Sequence, residues 1–203
     1  MGDVGQFLTE MAGSNPIEIA AVLFGIVNIS LLVMRSVWNF PFGIVMASLY
    51  AAIFFDAKLY GNSALQLFFI SMQIYGWWYW LRWRDAEGLV IVERLGARGA
   101  ATYGAAAVGG VAAIGTAMGR FTDASDPYWD VAIAVLSVIA QILLARRRLE
   151  NWIVWIIVDV LAIGLFWKQG LHPTAALYAV FLVLATAGFF AWARARRSGV
   201  AAA

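Results

Sequence analysis

The sequence predicts an all-α membrane protein: seven transmembrane helices in a 3+1+3 arrangement of parallel repeats. Three observations carry that prediction. Of 203 residues, 63% are hydrophobic and 13% charged, against roughly 45–50% and 25% in soluble domains, and a soluble globule of this length has too little interior to hide so much apolar surface. Seven apolar stretches approach or reach the length that crosses a bilayer, and Lys and Arg gather in alternate loops between them. The chain also repeats itself at an offset of 112 residues.

The stretches fall at 17–34, 39–55, 61–81, 99–118, 131–144, 151–166 and 174–193. The tail before the first carries Asp3 and Glu10 and no basic segment, so this helix reads as retained rather than as a cleaved signal peptide. Helices 2 and 6 begin at Asn39 and Asn151, which are placed to act as N-caps, and Pro41 falls in a first turn, where it is tolerated. Helix 4 is rich in Gly and Ala (Gly104, Gly109, Gly110, Gly115) and reads as a linker with small-residue packing faces. The second, fifth and sixth stretches are short.

Seven crossings put alternate loops on opposite sides. One set holds Arg35, Arg82, Arg84, Arg94, Arg98, Arg146 to Arg148, Arg194, Arg196 and Arg197; the other holds Lys58, Arg120 and Lys168. The first set is therefore cytoplasmic, with the N-terminus outside and the C-terminus inside.

The 112-residue offset sets Arg35, Asn39, Phe54, Leu59, Leu65, Phe69, Gly76, Trp80 and Arg82 on Arg147, Asn151, Phe166, Leu171, Leu177, Phe181, Gly188, Trp192 and Arg194. About fifteen of sixty-four positions are identical between helices 1–3 and helices 5–7. A three-helix unit repeated directly would be inverted; the fourth helix restores its orientation, so the halves are expected to be related by an axis along the membrane normal. The organisation is then a periplasmic tail at 1–16, a repeat at 17–82, the linker helix at 99–118, a second repeat at 129–194 and a cytoplasmic tail at 195–203.

Cysteine is absent and His172 is the only histidine, which excludes disulfides, thiolate sites and a histidine-built zinc site, and no metal or cofactor is expected. Asp159 is the only ionisable side chain well inside a span, about 12 Å from the cytoplasmic end of helix 6 at 1.5 Å per residue. An intramembrane carboxylate is costly enough to point to function, the other reading being a hydrogen bond to a neighbouring amide. Trp152 and Trp155 precede it by seven and four residues, and 100° per residue places all three within about 60° of arc. A carboxylate with two indoles makes a pocket for a flat cationic group; the indoles could instead be interfacial anchors, Trp152 above all.

On helix 3, Asn62, Gln66 and Gln73 share a face, open between ligand contact and helix-to-helix glue. Tyr50 and Tyr178 are weaker candidates, with packed rings the commoner role. Asn39 and Asn151 complete the candidate substrate-binding set. Across the repeat, Trp155 and Asp159 correspond to Gly43 and Ala47. This asymmetry would suit a ligand with one cationic end held between a bulky anionic wall and a small one.

The strings WNFPFG at 38–43, LYGNSALQLFF at 59–69, IYGWWYW at 74–80 and ENWIVWIIVD at 150–159 resemble the PnuC family of bacterial vitamin transporters, over nearly the whole chain. The resemblance implies a fold related to the SWEET transporters, a homotrimer in the bacterial inner membrane, and facilitated diffusion of nicotinamide riboside with cytoplasmic phosphorylation trapping the product. Relatives of this kind carry thiamine or riboflavin. It also implies a central site with Trp152, Trp155 and Asp159 from helix 6 and Gln66 and its neighbours from helix 3. Two rivals fail on residues: a retinal protein needs a lysine within a late helix, whereas Lys58 and Lys168 fall in loops, and an intramembrane enzyme finds no acid–base or nucleophile–base pair in the spans. A membrane sensor with the same pocket stays open.

Overall fold

The computed structural model describes residues 16–56, 58, 60–122 and 126–201, the side chains of 18, 60–62, 173 and 199–201 excepted. Among them are seven α-helices: α1 (Pro16–Val33), α2 (Asn39–Asp56), α3 (Tyr60–Trp80), α4 (Ala97–Phe121), α5 (Pro127–Ala145), α6 (Asn151–Lys168) and α7 (His172–Ala201). Each coincides with one expected span, and the differences lie at the ends. The fifth helix starts at Pro127 rather than at 131, because proline's fixed φ suits a first turn and Asp130 favours a helix N-terminus. The seventh runs to Ala201, so the stretch expected as a tail from 195 is largely helical, as its Ala and Arg content favours. The expected N-terminal tail lies outside the described residues, Pro16 excepted.

Five of the helices are long and apolar enough to cross a membrane: α2, α4, α5, α6 and, over Thr174–Ser198, α7. The apolar stretch of α1, Ile19–Val33, is shorter. Helix α3 has the length, but Asn62, Gln66 and Gln73 lower its apolar content.

The chain divides into two compact units, Met1–Ile91 and Val92–Ala203. In the first, α2 packs on both α1 and α3; in the second, α6 packs on both α5 and α7, and α4 lies on α5. The middle helix of each trio is thus the packed one.

The same local geometry recurs in each unit at the 112-residue offset. Helix α1 ends with Arg35 at φ 59° and α5 with Arg147 at φ 59°. Around them the N–H groups of Arg35 and Ser36 bond to the carbonyls of Leu32 and Leu31, and those of Arg147 and Arg148 to Leu144 and Leu143, which is the Schellman closure that satisfies the last free carbonyls of a helix. Lys58 (φ 61°) and Gly170 (φ 75°) take the corresponding left-handed place after α2 and α6. In the cores, Phe40 meets Trp80 edge-on at 4.9 Å and Trp152 meets Trp192 edge-on at 5.5 Å.

Each left-handed arginine is also clasped by the segment after α3. Arg35 exchanges backbone hydrogen bonds with it, its carbonyl accepting from the Val90 N–H and its guanidinium donating to the Val90 carbonyl at 3.1 Å. In the second unit the Glu93 N–H donates to the Arg147 carbonyl, and the Arg147 side chain, 0% exposed, pairs with Glu93 at 2.5 Å. A buried arginine without that carboxylate would carry a desolvation cost of several kcal/mol.

Candidate functional site

Helix α6 is apolar all round, so its buried face is recognised by position. Asn151, Trp152, Val158, Asp159, Ala162 and Leu165 are buried, while Ile153, Ile157 and Val160 are exposed on the other side. The three-and-four spacing of the first set makes one stripe. Asp159 lies in its middle, 3% exposed, and makes no hydrogen bond or ion pair with any of the described residues. A carboxylate in that position, without a donor among the described residues, is held at considerable cost. Trp155 lies one turn earlier on the same stripe, only partly buried, so its indole remains open to a further contact.

Just beyond Asp159 the helix is fixed by a tryptophan the sequence reading passed over. Trp129 of α5 donates its indole N–H to the Leu161 carbonyl at 2.9 Å. Its ring lies on Gly164, where a Cβ would come within 2.8 Å of Trp129 Cζ2. Glycine there is what lets the indole reach the backbone of α6. A second missed residue, Gln141 of α5, is buried with its Nε2 lacking a partner among the described residues.

Trp152 is placed differently from an interfacial anchor. It is 2% exposed, edge-on to Trp192, and lies against Gly188, where a Cβ would fall 2.5–2.7 Å from the indole. The anchor reading is corrected: Trp152 repeats the core position of Phe40. Its Nε1 has no partner among the described residues, so a hydrogen-bond donor remains within that packed ring.

The N-cap reading of Asn39 and Asn151 is also corrected. A capping Asn accepts from the N–H two or three residues ahead, whereas here each side chain donates backwards, Asn39 Nδ2 to the Ser36 carbonyl at 2.6 Å and Asn151 Nδ2 to the Arg148 carbonyl at 2.7 Å. The Oδ1 atoms of both are buried without a partner among the described residues. Both residues are fully buried and close the connection that precedes their helix.

In the first unit, the wall expected to be small is instead filled by amides. Gln73 of α3 is buried and its Oε1 has no partner among the described residues. It lies on Gly43 of α2 with Asn28 of α1, whose Nδ2 also donates to the Asn39 carbonyl at 2.7 Å. Asn28 was not singled out from sequence; an amide alone in an apolar run was the available signal. Gln66 is partly buried, and the side chain of Asn62 lies outside the described residues. Tyr50 stacks on Phe54 at 5.8 Å, and Tyr178 contacts Phe166 at 5.4 Å and Phe181 at 5.7 Å. Both are packed aromatics.

The family model described as nicotinamide mononucleotide transporter matches residues 15–194. The chain belongs to the nicotinamide mononucleotide transporter family. Among curated proteins it is 27% identical to the nicotinamide riboside transporter PnuC of Escherichia coli (strain K12), over 89% of this chain and 86% of that one. It is 29% identical to the riboflavin/roseoflavin transporter RibM of Streptomyces davaonensis, over 86% and 84%. A crystal structure of the vitamin B3 transporter PnuC has the same fold, with a TM-score of 0.73 at 24% identity, covering 96% of this chain and 88% of that one. Membership of this transporter family, with five helices able to cross a bilayer, makes the chain a multi-pass membrane protein.

Proposed function

We propose that this chain carries nicotinamide riboside across the bacterial inner membrane by facilitated diffusion. The observation that carries the reading is the buried carboxylate of Asp159, without a partner among the described residues, one turn from a partly open indole, Trp155. Nicotinamide riboside has a fixed positive charge on a flat aromatic ring, which a carboxylate neutralises and an indole stacks upon. Trp152, whose Nε1 has no partner among the described residues, is assigned to the same substrate as a weaker contact, and Gln73 and Gln66 are kept as candidate substrate contacts of the first unit.

Riboflavin is the second reading, favoured by the relative that carries it in its name. Its ring system is neutral, so it leaves Asp159 without a counter-charge, and we rank it below the cation. Thiamine, cationic and aromatic, fits the same chemistry as nicotinamide riboside. The expected result is saturable uptake of labelled nicotinamide riboside into proteoliposomes, competed less by thiamine and not by riboflavin. Binding without flux would make the protein a sensor; uptake of riboflavin alone would replace the substrate.

The finer architecture belongs to this proposal. Repeats at 17–82 and 129–194 flank a linker helix at 99–118 in a 3+1+3, SWEET-related arrangement, supported by the recurrence of left-handed Arg35 and Arg147 and of the edge-on ring pairs. The eleven basic residues of one loop set against three in the other support an outside N-terminus and a cytoplasmic C-terminus. A reporter fused after Ala203 should then be active only in the cytoplasm, and activity outside would remove this map. The homotrimer implied by resemblance is tested by the mass of the purified protein in detergent.

A further inference from the structure

We propose that Gly43 is a positioning residue: its missing side chain sets the place of the Gln73 and Asn28 amides, and through them the affinity for the substrate. The inference rests on the transport reading above. A Cβ on Gly43 would overlap Gln73 Nε2 and would come within 2.9 Å of Gln73 Cδ and 2.7 Å of Asn28 Nδ2. Real Cβ atoms do not approach so closely, so a methyl group at 43 must push both amides aside. What moves is the tip of two side chains and no backbone, so the fold can absorb a methyl that the amide positions cannot.

The space has a purpose beyond packing. Gln73 is 6% exposed and its Oε1 has no partner among the described residues, a cost of the order of a hydrogen bond unless something completes it. The repeat gives a control within the same chain. The positions corresponding to Gly43, Asn28 and Gln73 are Trp155, Ala140 and Ala185, and both alanines are buried. In the second unit the middle helix brings the large side chain and its neighbours are small; in the first the middle helix is bare and its neighbours bring amides. Had Gly43 been needed only for close helix approach, its neighbours would be small as well.

The test is a double-mutant cycle on full-length protein, reading nicotinamide riboside affinity by calorimetry and uptake in proteoliposomes. Gly43→Ala should weaken binding about tenfold with little change in maximal uptake rate, and Gln73→Ala should weaken it similarly. The pair Gly43→Ala/Gln73→Ala should lose less than the two single losses multiplied, because the amide that the methyl overlaps is already gone and only Asn28 is left to displace. Wild-type affinity in Gly43→Ala, or losses that multiply in the pair, would overturn the proposal. If Gly43→Ala alone fails to fold, the pair should fold and bind within a few-fold of Gln73→Ala; a pair that is also misfolded overturns it too. Failure of the transport reading shows separately, as wild-type protein that does not bind nicotinamide riboside.

Discussion

The proposed function gives the substrate's positive charge to one carboxylate. Asp159 is buried at 3% exposure and sits midway along α6, so replacing it with Asn keeps shape and most hydrogen-bonding capacity while removing the charge. Asp159→Asn should cost about 1–2 kcal/mol of affinity for nicotinamide riboside, a factor of roughly 5–30, if the contact is desolvated. Trp155→Ala should cost at least as much through lost stacking. Calorimetry on folded protein checks both, and unchanged affinity in both variants would move attention from α6 to the amides of α3. Asp159 was legible in the sequence because an ionisable group within an apolar run stands out against a composition that is 13% charged. The amides were harder to read. Asn28 and Gln141 are neutral, and whether a buried amide glues helices or waits for a ligand depends on whether its hydrogen bonds are already made, which only the packing reveals. For Trp152 the sequence offered position near a helix end, a cue to the membrane interface, whereas its contacts with Gly188 and Trp192 put it in the core.

Within each element the glycines divide by what lies over them. Gly188 of α7 lies beneath the Trp152 indole, and a Cβ there would sit 2.5–2.7 Å from atoms of a ring that also meets Trp192 edge-on. A rigid ring cannot retreat as an amide tip can. Gly188→Ala should therefore destabilise the second unit by about 1–3 kcal/mol, seen as a lower melting temperature in detergent. Gly104 and Gly109 of α4 have open space at the Cβ position, and alanine there should be neutral or stabilising by about 0.5–1 kcal/mol through reduced backbone freedom in the unfolded chain. Equal effects at Gly188 and Gly104 would contradict this division. The helices themselves were legible because apolar runs of bilayer length are long, and their ends were less so because caps decide them. Pro127 extends α5 backwards, and the left-handed arginines that end α1 and α5 carry no glycine signal. Arg35 and Arg147 hold that conformation because partners around the side chain and carbonyl fix it, a tertiary cause that no local pattern announces.

For the whole molecule the question is what drives net movement. Carriers that couple to protons or sodium generally use buried carboxylates, histidine relays, or helices broken at mid-membrane so that free carbonyls bind the ion. In the described residues α1 to α7 run as continuous helices, and the one histidine, His172, is the first residue of α7. Among the described residues that leaves Asp159 as the one carboxylate well inside a span, Asp56 and Asp130 lying in end turns of their helices. It can hold a proton or a cationic substrate, and if it served both the two would compete for it, which gives exchange rather than cotransport. The expected behaviour is uniport: the protein equilibrates its substrate, and accumulation in cells is supplied by a cytoplasmic kinase that removes it. Proteoliposomes test this with inward proton, sodium and potassium gradients imposed in turn at zero membrane potential, a condition required because a cationic substrate itself responds to voltage at about 2.3 kcal/mol per 100 mV. The internal concentration of nicotinamide riboside should rise to the external one and stop under every gradient. Accumulation beyond it under any one would make Asp159 a coupling site and the protein a symporter.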